Sequence, residues 1–157
     1  MSTLVSRDQW VAYMDCGPLT ADESGYYLIG EGFTSFSEAK NPKEYTRQYV
    51  HEKSERSDVV GYAPSISYSA DMHSGNPCVE RVAKAADEEQ VGSDAHVDIV
   101  TVNLWESVAY KRTYAIIPDG KGDGVEALIY TGTLKAVGES VKGTWDDSTK
   151  EFTADKA

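Results

Sequence analysis

The chain has 157 residues, about 40% of them hydrophobic, and 26 acidic residues against 15 basic ones for a formal charge of −11. That length suits one domain with a real core. The charge excludes a surface built to grip nucleic acid, which needs basic residues to displace counterions. No apolar run is long enough to cross a bilayer, so no membrane partner is expected.

The opening Met1-Ser2-Thr3-Leu4-Val5-Ser6-Arg7-Asp8 lacks the basic start and apolar block of a signal peptide, which predicts retention in the cytosol unless other machinery exports the chain. A first strand follows, with Trp10, Ala12 and Met14 alternating with Val11, Tyr13 and Asp15. Tyr26 to Phe33 is a short apolar-aromatic segment that carries Gly30 and Gly32. Tyr45, Arg47, Tyr49 and His51 alternate with Thr46, Gln48 and Val50, the pattern of an exposed strand. Residues 64–72 alternate strictly: Ile66, Tyr68, Ala70 and Met72 on one side, Ser65, Ser67, Ser69 and Asp71 on the other. This predicts a half-buried strand with one wet face.

One helix is predicted next. Asn76 can cap it, Pro77 fits its first turn, and Val79, Val82, Ala83 and Ala86 form its apolar stripe. Glu80 and Lys84 have the spacing of a helical ion pair, and Gly92 is a natural stop. In the strand at residues 96–105 the apolar phase shifts, from Val97 and Ile99 to Val100, Val102 and Leu104, which calls for a bulge or a change of covering layer. A strand from Arg112 is expected to stop at Pro118, before the turn-rich Asp119 to Gly124. Ala127 to Val137 reads as a long strand, and Val141–Trp145 with Glu151–Thr153 as a terminal hairpin. About eight short strands and one helix predict a mainly β protein, a β-sandwich or partly closed barrel with the helix packed on a sheet. Residues 1–157 read as a single domain.

Residues 37–58 stand apart. They hold five acidic and five basic residues and almost no aliphatic ones, so the rest of the chain carries the net negative charge. The segment is either a solvated hairpin or an arm that docks on a neighbouring subunit through paired charges and tyrosines. The interface candidates are Glu38, Lys40, Tyr45, Arg47, Tyr49 and Lys53.

No chemistry emerges. His51, His73 and His96 fall in separate segments without ligand spacing. Cys16 and Cys78 lie far apart in sequence among apolar neighbours and read as buried thiols, neither a disulfide framework nor a zinc site. A calcium loop starting at Asp119 would need oxygen ligands where Lys121 and Tyr130 stand. Neither a nucleophile elbow nor a phosphate loop is present: Gly138-Glu139-Ser140 leads to Lys142, and Gly30-Glu31-Gly32 to Phe33-Thr34. Nothing singles out a carboxylate pair for glycoside hydrolysis. The reading is non-enzymatic, with no cofactor.

The order of several segments is more informative. Leu4-Val5-Ser6-Arg7-Asp8-Gln9 leads into the first strand; Gly30-Glu31-Gly32-Phe33-Thr34-Ser35 and Asn41-Pro42 follow, then Tyr45, Tyr49 and Lys53. Val60-Gly61-Tyr62-Ala63-Pro64-Ser65 precedes a strand and the helix. Val91-Gly92-Ser93 precedes a strand ending Val102-Asn103-Leu104-Trp105-Glu106, and the chain closes on Val141-Lys142-Gly143-Thr144-Trp145 and Phe152-Thr153. From about Leu4 to Thr153 this resembles the major tail protein, or tail-tube protein, of long non-contractile-tailed phages and prophages of Gram-positive bacteria.

The resemblance implies hexameric rings that stack into a hollow tube around a tape-measure protein. Strands of neighbouring subunits would join into a β-barrel lining the lumen, through which double-stranded DNA passes without specific binding. Tail initiator (distal tail) and tail terminator proteins would bind the tube ends, in a virion assembled in the host cytoplasm. An acidic lumen would keep DNA phosphates from sticking, with Asp94 and Asp98 as candidate lumen residues. The tip of the tyrosine-containing hairpin and the loop Ser107–Arg112 are the segments expected to vary most. Two rivals share parts of this reading. One is the tube subunit of a contractile tail, bacteriocin or secretion machine. The other is a monomeric carbohydrate-binding β-sandwich, which would expose tryptophans, whereas Trp10, Trp105 and Trp145 follow strand patterns.

Overall fold

The structure, a computed structural model, describes residues 2–17, 25–122 and 125–155. Among these the chain forms eleven strands and one α-helix. They run β1 (Trp10–Asp15), β2 (Tyr26–Leu28), β3 (Phe33–Ala39), β4 (Pro42–Arg47), β5 (Arg56–Tyr62) and β6 (Ser65–Asp71), then α1 (Pro77–Asp87), β7 (His96–Asn103), β8 (Val108–Lys121), β9 (Ile129–Ala136), β10 (Val141–Asp146) and β11 (Glu151–Ala154). Nine strands form one sheet in the order β2-β1-β7-β8-β9-β6-β3, with the β10–β11 hairpin joined to β8 through β10. The sheet curls until β3 comes within reach of the start of β1. Arg7, just ahead of β1, donates to the Phe36 carbonyl of β3 at 3.0 Å, and the Trp10 and Phe36 rings lie 5.9 Å apart. The result is the expected partly closed barrel, a half-barrel with α1 packed on its inner face.

The alternating patterns explain the curl. Ile66, Tyr68, Ile99, Ile116 and Leu134 all point inward and meet Cys78, Val82 and Ala85 of α1. The helix begins where the sequence predicts, because the Asn76 side chain accepts the N–H groups of Cys78 and Val79 and Pro77 occupies the first turn. It ends earlier than Gly92 implies, at Asp87, with Glu89 turning out at φ 49°. Its buried stripe includes Cys78 and Ala85 and leaves Ala86 half-buried. The expected Glu80–Lys84 pair does not form. Glu80 accepts the Gly75 N–H at 2.7 Å, drawn to donors ahead of the helix N-terminus, and Lys84 faces Glu88 at 4.0 Å.

The phase shift in β7 is a change of covering layer. Its pairing with β1 and β8 is continuous. Val97 and Ile99 face the helix side, whereas Val100 and Val102 join Tyr13 and Ala109 in a second cluster. Trp145 and Phe152 of the β10–β11 hairpin cover that cluster, with the Trp145 ring stacked on Tyr13 at 4.5 Å.

Three expectations are corrected. Pro118 does not end its strand: β8 continues to Lys121. Beyond Ala115 it has lost β7 as a neighbour, and a register shift between Pro118 and Gly120 relieves the missing N–H. The presumed loop 107–112 is mostly strand, because Val108–Arg112 pair with Asn103–Ile99 and only Leu104–Ser107 turn. The strand predicted over 45–51 spans Pro42–Arg47 and then turns. Part of the Asp119–Gly124 turn lies outside the described residues.

Candidate assembly interface

Between β3 and β6 the chain leaves the sheet. β4 and β5 pair only with each other, a two-stranded ribbon continuing the β3–β6 ladder. Its root is Asn41, at φ 46°, a conformation Asn tolerates better than most residues. The Asn41 amide donates to the Ala63 carbonyl and the Ser65 hydroxyl, both at 3.1 Å, which ties the two rails of the ribbon together where it departs. The ribbon buries nothing: every residue of β4 is exposed, and in β5 only Gly61 is half-covered.

Four interface candidates lie on this arm and two do not belong to it fully. Tyr45 and Arg47 stand on one face of β4, the guanidinium 5.1 Å from the tyrosine ring and its Nε hydrogen-bonded to the hydroxyl. Tyr49 sits in the tip under Arg56, 5.3 Å from its ring, and Arg56 places Nε and Nη2 at 3.1 and 3.0 Å from one Glu52 oxygen. Lys53 is exposed in the same tip and makes no ion pair among the described residues. Lys40 sits at the arm's root. Glu38 belongs to β3 inside the half-barrel, where it accepts the Tyr114 hydroxyl at 3.1 Å and pairs with Lys40. Burial and the neighbouring Glu38 push the Tyr114 phenol upward.

Moving Glu38 into the body changes the electrostatics. Residues 40–62 carry five basic and four acidic side chains, and the remainder ten basic and 22 acidic. The arm is therefore slightly positive on a strongly negative body. Sequence reasoning missed the arm's apolar half. Val59, Val60 and Tyr62 are 52%, 64% and 61% exposed. Pairing of Pro42 with Tyr62 and Glu44 with Val59 places Tyr62 and Val59 on the face opposite Tyr45 and Arg47. The Val59-Val60-Gly61-Tyr62 run was the available signal: an apolar stretch with nothing near it in sequence to pack on.

A second surface lies on the outer face of β8, β9, β6 and β3. Cross-strand pairs Ser35–Ser69–Thr131 and Ser37–Ser67–Thr133 carry one side-chain layer across it. Lys135 and Ser65 extend the layer, and Asp98 stands at its margin through its pair with Thr113. The Thr113 hydroxyl donates to the Asp98 carboxylate at 2.5 Å. Asp94 is off the sheet, in a 3-10 turn where its carbonyl accepts from Arg81 at 2.9 Å. The two acidic lumen candidates are thus not brought together.

A third feature is the open mouth of the half-barrel, a cleft of about 640 Å³ whose lining includes Arg7, Trp10, Phe36, Trp105, Tyr110 and Arg112. Trp10 packs on Phe36 and Trp145 on Tyr13, whereas Trp105 is half-exposed. Among the described residues no cluster of His, Cys, Asp and Glu could hold a metal ion, and no helix is long and apolar enough to cross a membrane.

No family model and no curated protein sequence matches the chain. Solved structures do. A chain of the tail of an empty GTA particle, determined with C6 symmetry, superposes with a TM-score of 0.60 at 12% identity, over 96% of this chain and all of that one. A chain of the anti-feeding prophage tube-terminating cap gives 0.53 at 13% identity, covering 92% and 93%. A chain of the six-fold symmetrised anti-feeding prophage baseplate gives 0.51 at 12%, covering 90% and 97%. The curled sheet with one helix is therefore the fold of subunits found in phage-like tail assemblies. At these identities the likeness shows the fold.

Proposed function

We propose that this chain is a structural subunit of a phage-type tail tube, with no catalytic role and no cofactor. Six copies form a ring, rings stack into a hollow tube around a tape-measure protein, and initiator and terminator proteins bind the two ends. The tube belongs to the virion, is assembled in the host cytoplasm and carries double-stranded DNA. The observation that carries this reading is the end-to-end likeness to a chain of a C6-symmetric tail, in a molecule whose β4–β5 ribbon buries nothing of its own. A ribbon of two strands is marginal alone in water, and docking on a second copy supplies the surface it lacks.

The charge distribution supports the same partner. A slightly basic arm fits the acidic body of a neighbouring copy, with Tyr45, Arg47, Tyr49 and Lys53 on or near one face and Val59 and Tyr62 on the other. The hydroxyl face carries Ser35 and Ser37 of β3, Ser65, Ser67 and Ser69 of β6 and Thr131 and Thr133 of β9, so we assign it to the lumen. Its serines and threonines are uncharged, and Lys135 in the same layer is outnumbered by Asp71 and by Asp98 at the margin, so DNA phosphates find little to hold. The long non-contractile tail is the version that the sequence resemblance favours; a contractile or secretion-type tube fits the fold equally well.

Electron microscopy of the purified protein at rising concentration tests the proposal. Hollow tubes or six-fold rings are expected. A monomer that persists at high concentration, with tape-measure and initiator proteins added, would sink it. The half-exposed Trp105 in the cleft gives the carbohydrate-binding alternative its one foothold. A persistent monomer whose tryptophan fluorescence shifts on titration with oligosaccharides would favour that alternative.

A further inference from the structure

The fold brings together two thiols separated by 62 positions in sequence: Cys16 Sγ and Cys78 Sγ lie 4.0 Å apart. Both backbones are held in place. The Cys16 N–H donates to the Gly25 carbonyl at 2.9 Å, and the Cys78 N–H to the Asn76 cap at 3.1 Å. Cys78 is fully buried in the first turn of α1, with its sulfur 3.3 Å from the Tyr27 carbonyl; Cys16, directly after β1, is half-buried. Among the described residues no third metal-ligating group joins them, so the chemistry open to the pair is that of two thiols.

The geometry points to a modification site: Cys16 and Cys78 are an oxidisable pair that closes an intramolecular disulfide between the end of β1 and the start of α1. The sulfurs must approach from 4.0 Å to about 2.05 Å, a side-chain adjustment between two fixed backbones. The co-reactant is hydrogen peroxide. The half-buried Cys16 meets it first: its thiolate attacks the peroxide oxygen, the O–O bond breaks, and Cys16 sulfenic acid and one water result. Cys78 sulfur then attacks the Cys16 sulfur, the S–O bond breaks, and a second water leaves with the Cys78 proton. Overall two thiol hydrogens and two electrons pass to one peroxide, giving one S–S bond and two waters.

The hydrogen bond with Cys16, followed by burial, pushes the Cys78 thiol well above its ordinary range. The chemistry does not depend on the tube reading. On that reading it acquires a use, because a subunit made in a reducing cytosol would be stapled only once the particle meets oxidant outside.

The test treats the purified chain with dilute hydrogen peroxide and follows intact mass, free thiols and thermal unfolding. A monomer lighter by two hydrogens, without titratable thiols, is expected. Its Tm should rise on the order of 5–10 °C, because the bond closes a long loop, and dithiothreitol should reverse the rise. Cys16→Ser, at the half-buried position, should fold normally and show no oxidative rise in Tm. Three results would overturn the proposal: Cys16 oxidised to its sulfinic or sulfonic acid while Cys78 stays reduced, disulfide-linked dimers in place of the monomer, or a Tm rise that survives in Cys16→Ser. Tube formation is scored separately, so loss of the disulfide and loss of the tube reading are told apart.

Discussion

The body and the arm are built by opposite rules. In the body the strands spend side-chain layers on a core, β7 both of its layers: Met14, Ile66, Ile99 and Leu134 are fully enclosed, and α1 closes over them. In the arm no side chain is enclosed, and the ordered contacts are polar ones across the ribbon, such as the Thr46–Ser57 hydroxyl pair at 3.1 Å and Arg56 on Glu52. A segment that gains so little from its own packing keeps its place by covalent attachment to a stable sheet and by the Asn41 clasp. Its exposed Val59, Val60 and Tyr62 remain to be covered by something else. Stability and assembly should therefore separate, each responding to substitutions in one region alone.

The largest expected effect is in the body. Leu134→Ala removes a fully buried side chain from β9 opposite Ile66 and Ile116. It should cost about 2–5 kcal/mol in denaturant unfolding. Tubes should fail with it because the subunit no longer folds, a loss visible in circular dichroism. The arm predicts the reverse pattern. Arg47→Glu with Lys53→Glu makes the arm as acidic as the surface it would meet, and tubes should vanish from micrographs. Both side chains are exposed, so the unfolding free energy should stay within about 0.5 kcal/mol of the parent. Normal tubes from this variant would remove the arm from the mechanism.

A smaller effect belongs to the junction between the regions. Asn41→Ala loses both clasp hydrogen bonds and places a poorly tolerant residue at φ 46°. It should cost about 1–2 kcal/mol and raise the concentration needed for tubes. Asn41→Gly restores the backbone conformation without the amide. If Asn41→Gly assembles as readily as the parent, arm direction is set by the backbone alone; if it behaves like the alanine variant, the clasp sets it.

How much of this the sequence made visible follows the same division. Strict alternation in 64–72 and the Asn76-Pro77 cap described β6 and the start of α1 correctly because burial on one face, and a cap, are local facts. The β7 phase shift was visible, but the layer that causes it, Trp145 and Phe152, lies about 45 residues away in sequence. Pro118 misled because proline's penalty depends on whether a neighbouring strand needs its N–H, and β7 has ended by then. β3 and β5 were not recognised as strands: polar Thr34, Ser35 and Ser37 obscured one, and the bulged Val59-Val60-Gly61 run, which breaks strict alternation, the other. The balanced charge of 37–58 revealed the arm without its boundary, since only pairing with Ile66 shows that Glu38 belongs to the sheet. The closeness of Cys16 and Cys78 was invisible, because α1 must pack before their separation means anything.

The smallest effect is a dependence on pH carried by the body's surface. Hydrogen bonds from Lys121 and then Tyr130 hold the Asp87 carboxyl below its ordinary range, where it ties the end of α1 to β8 and β9. Lys150 and then Tyr13 do the same for Asp147, beside the hairpin that covers the second cluster. A carboxyl depressed in the folded state contributes stability above its unfolded value of about 4, and that contribution fades as pH falls through the lower folded value. The parent should therefore lose denaturant resistance as pH drops below about 4, and Asp87→Asn with Asp147→Asn should flatten that decline while lowering resistance slightly at pH 7. Both groups lie on the body and neither touches the arm, so the concentration at which tubes appear at pH 7 should not move. A shift in that concentration would mean that the ends of α1 or β10 meet a neighbouring copy, and the body would then share the work assigned to the arm.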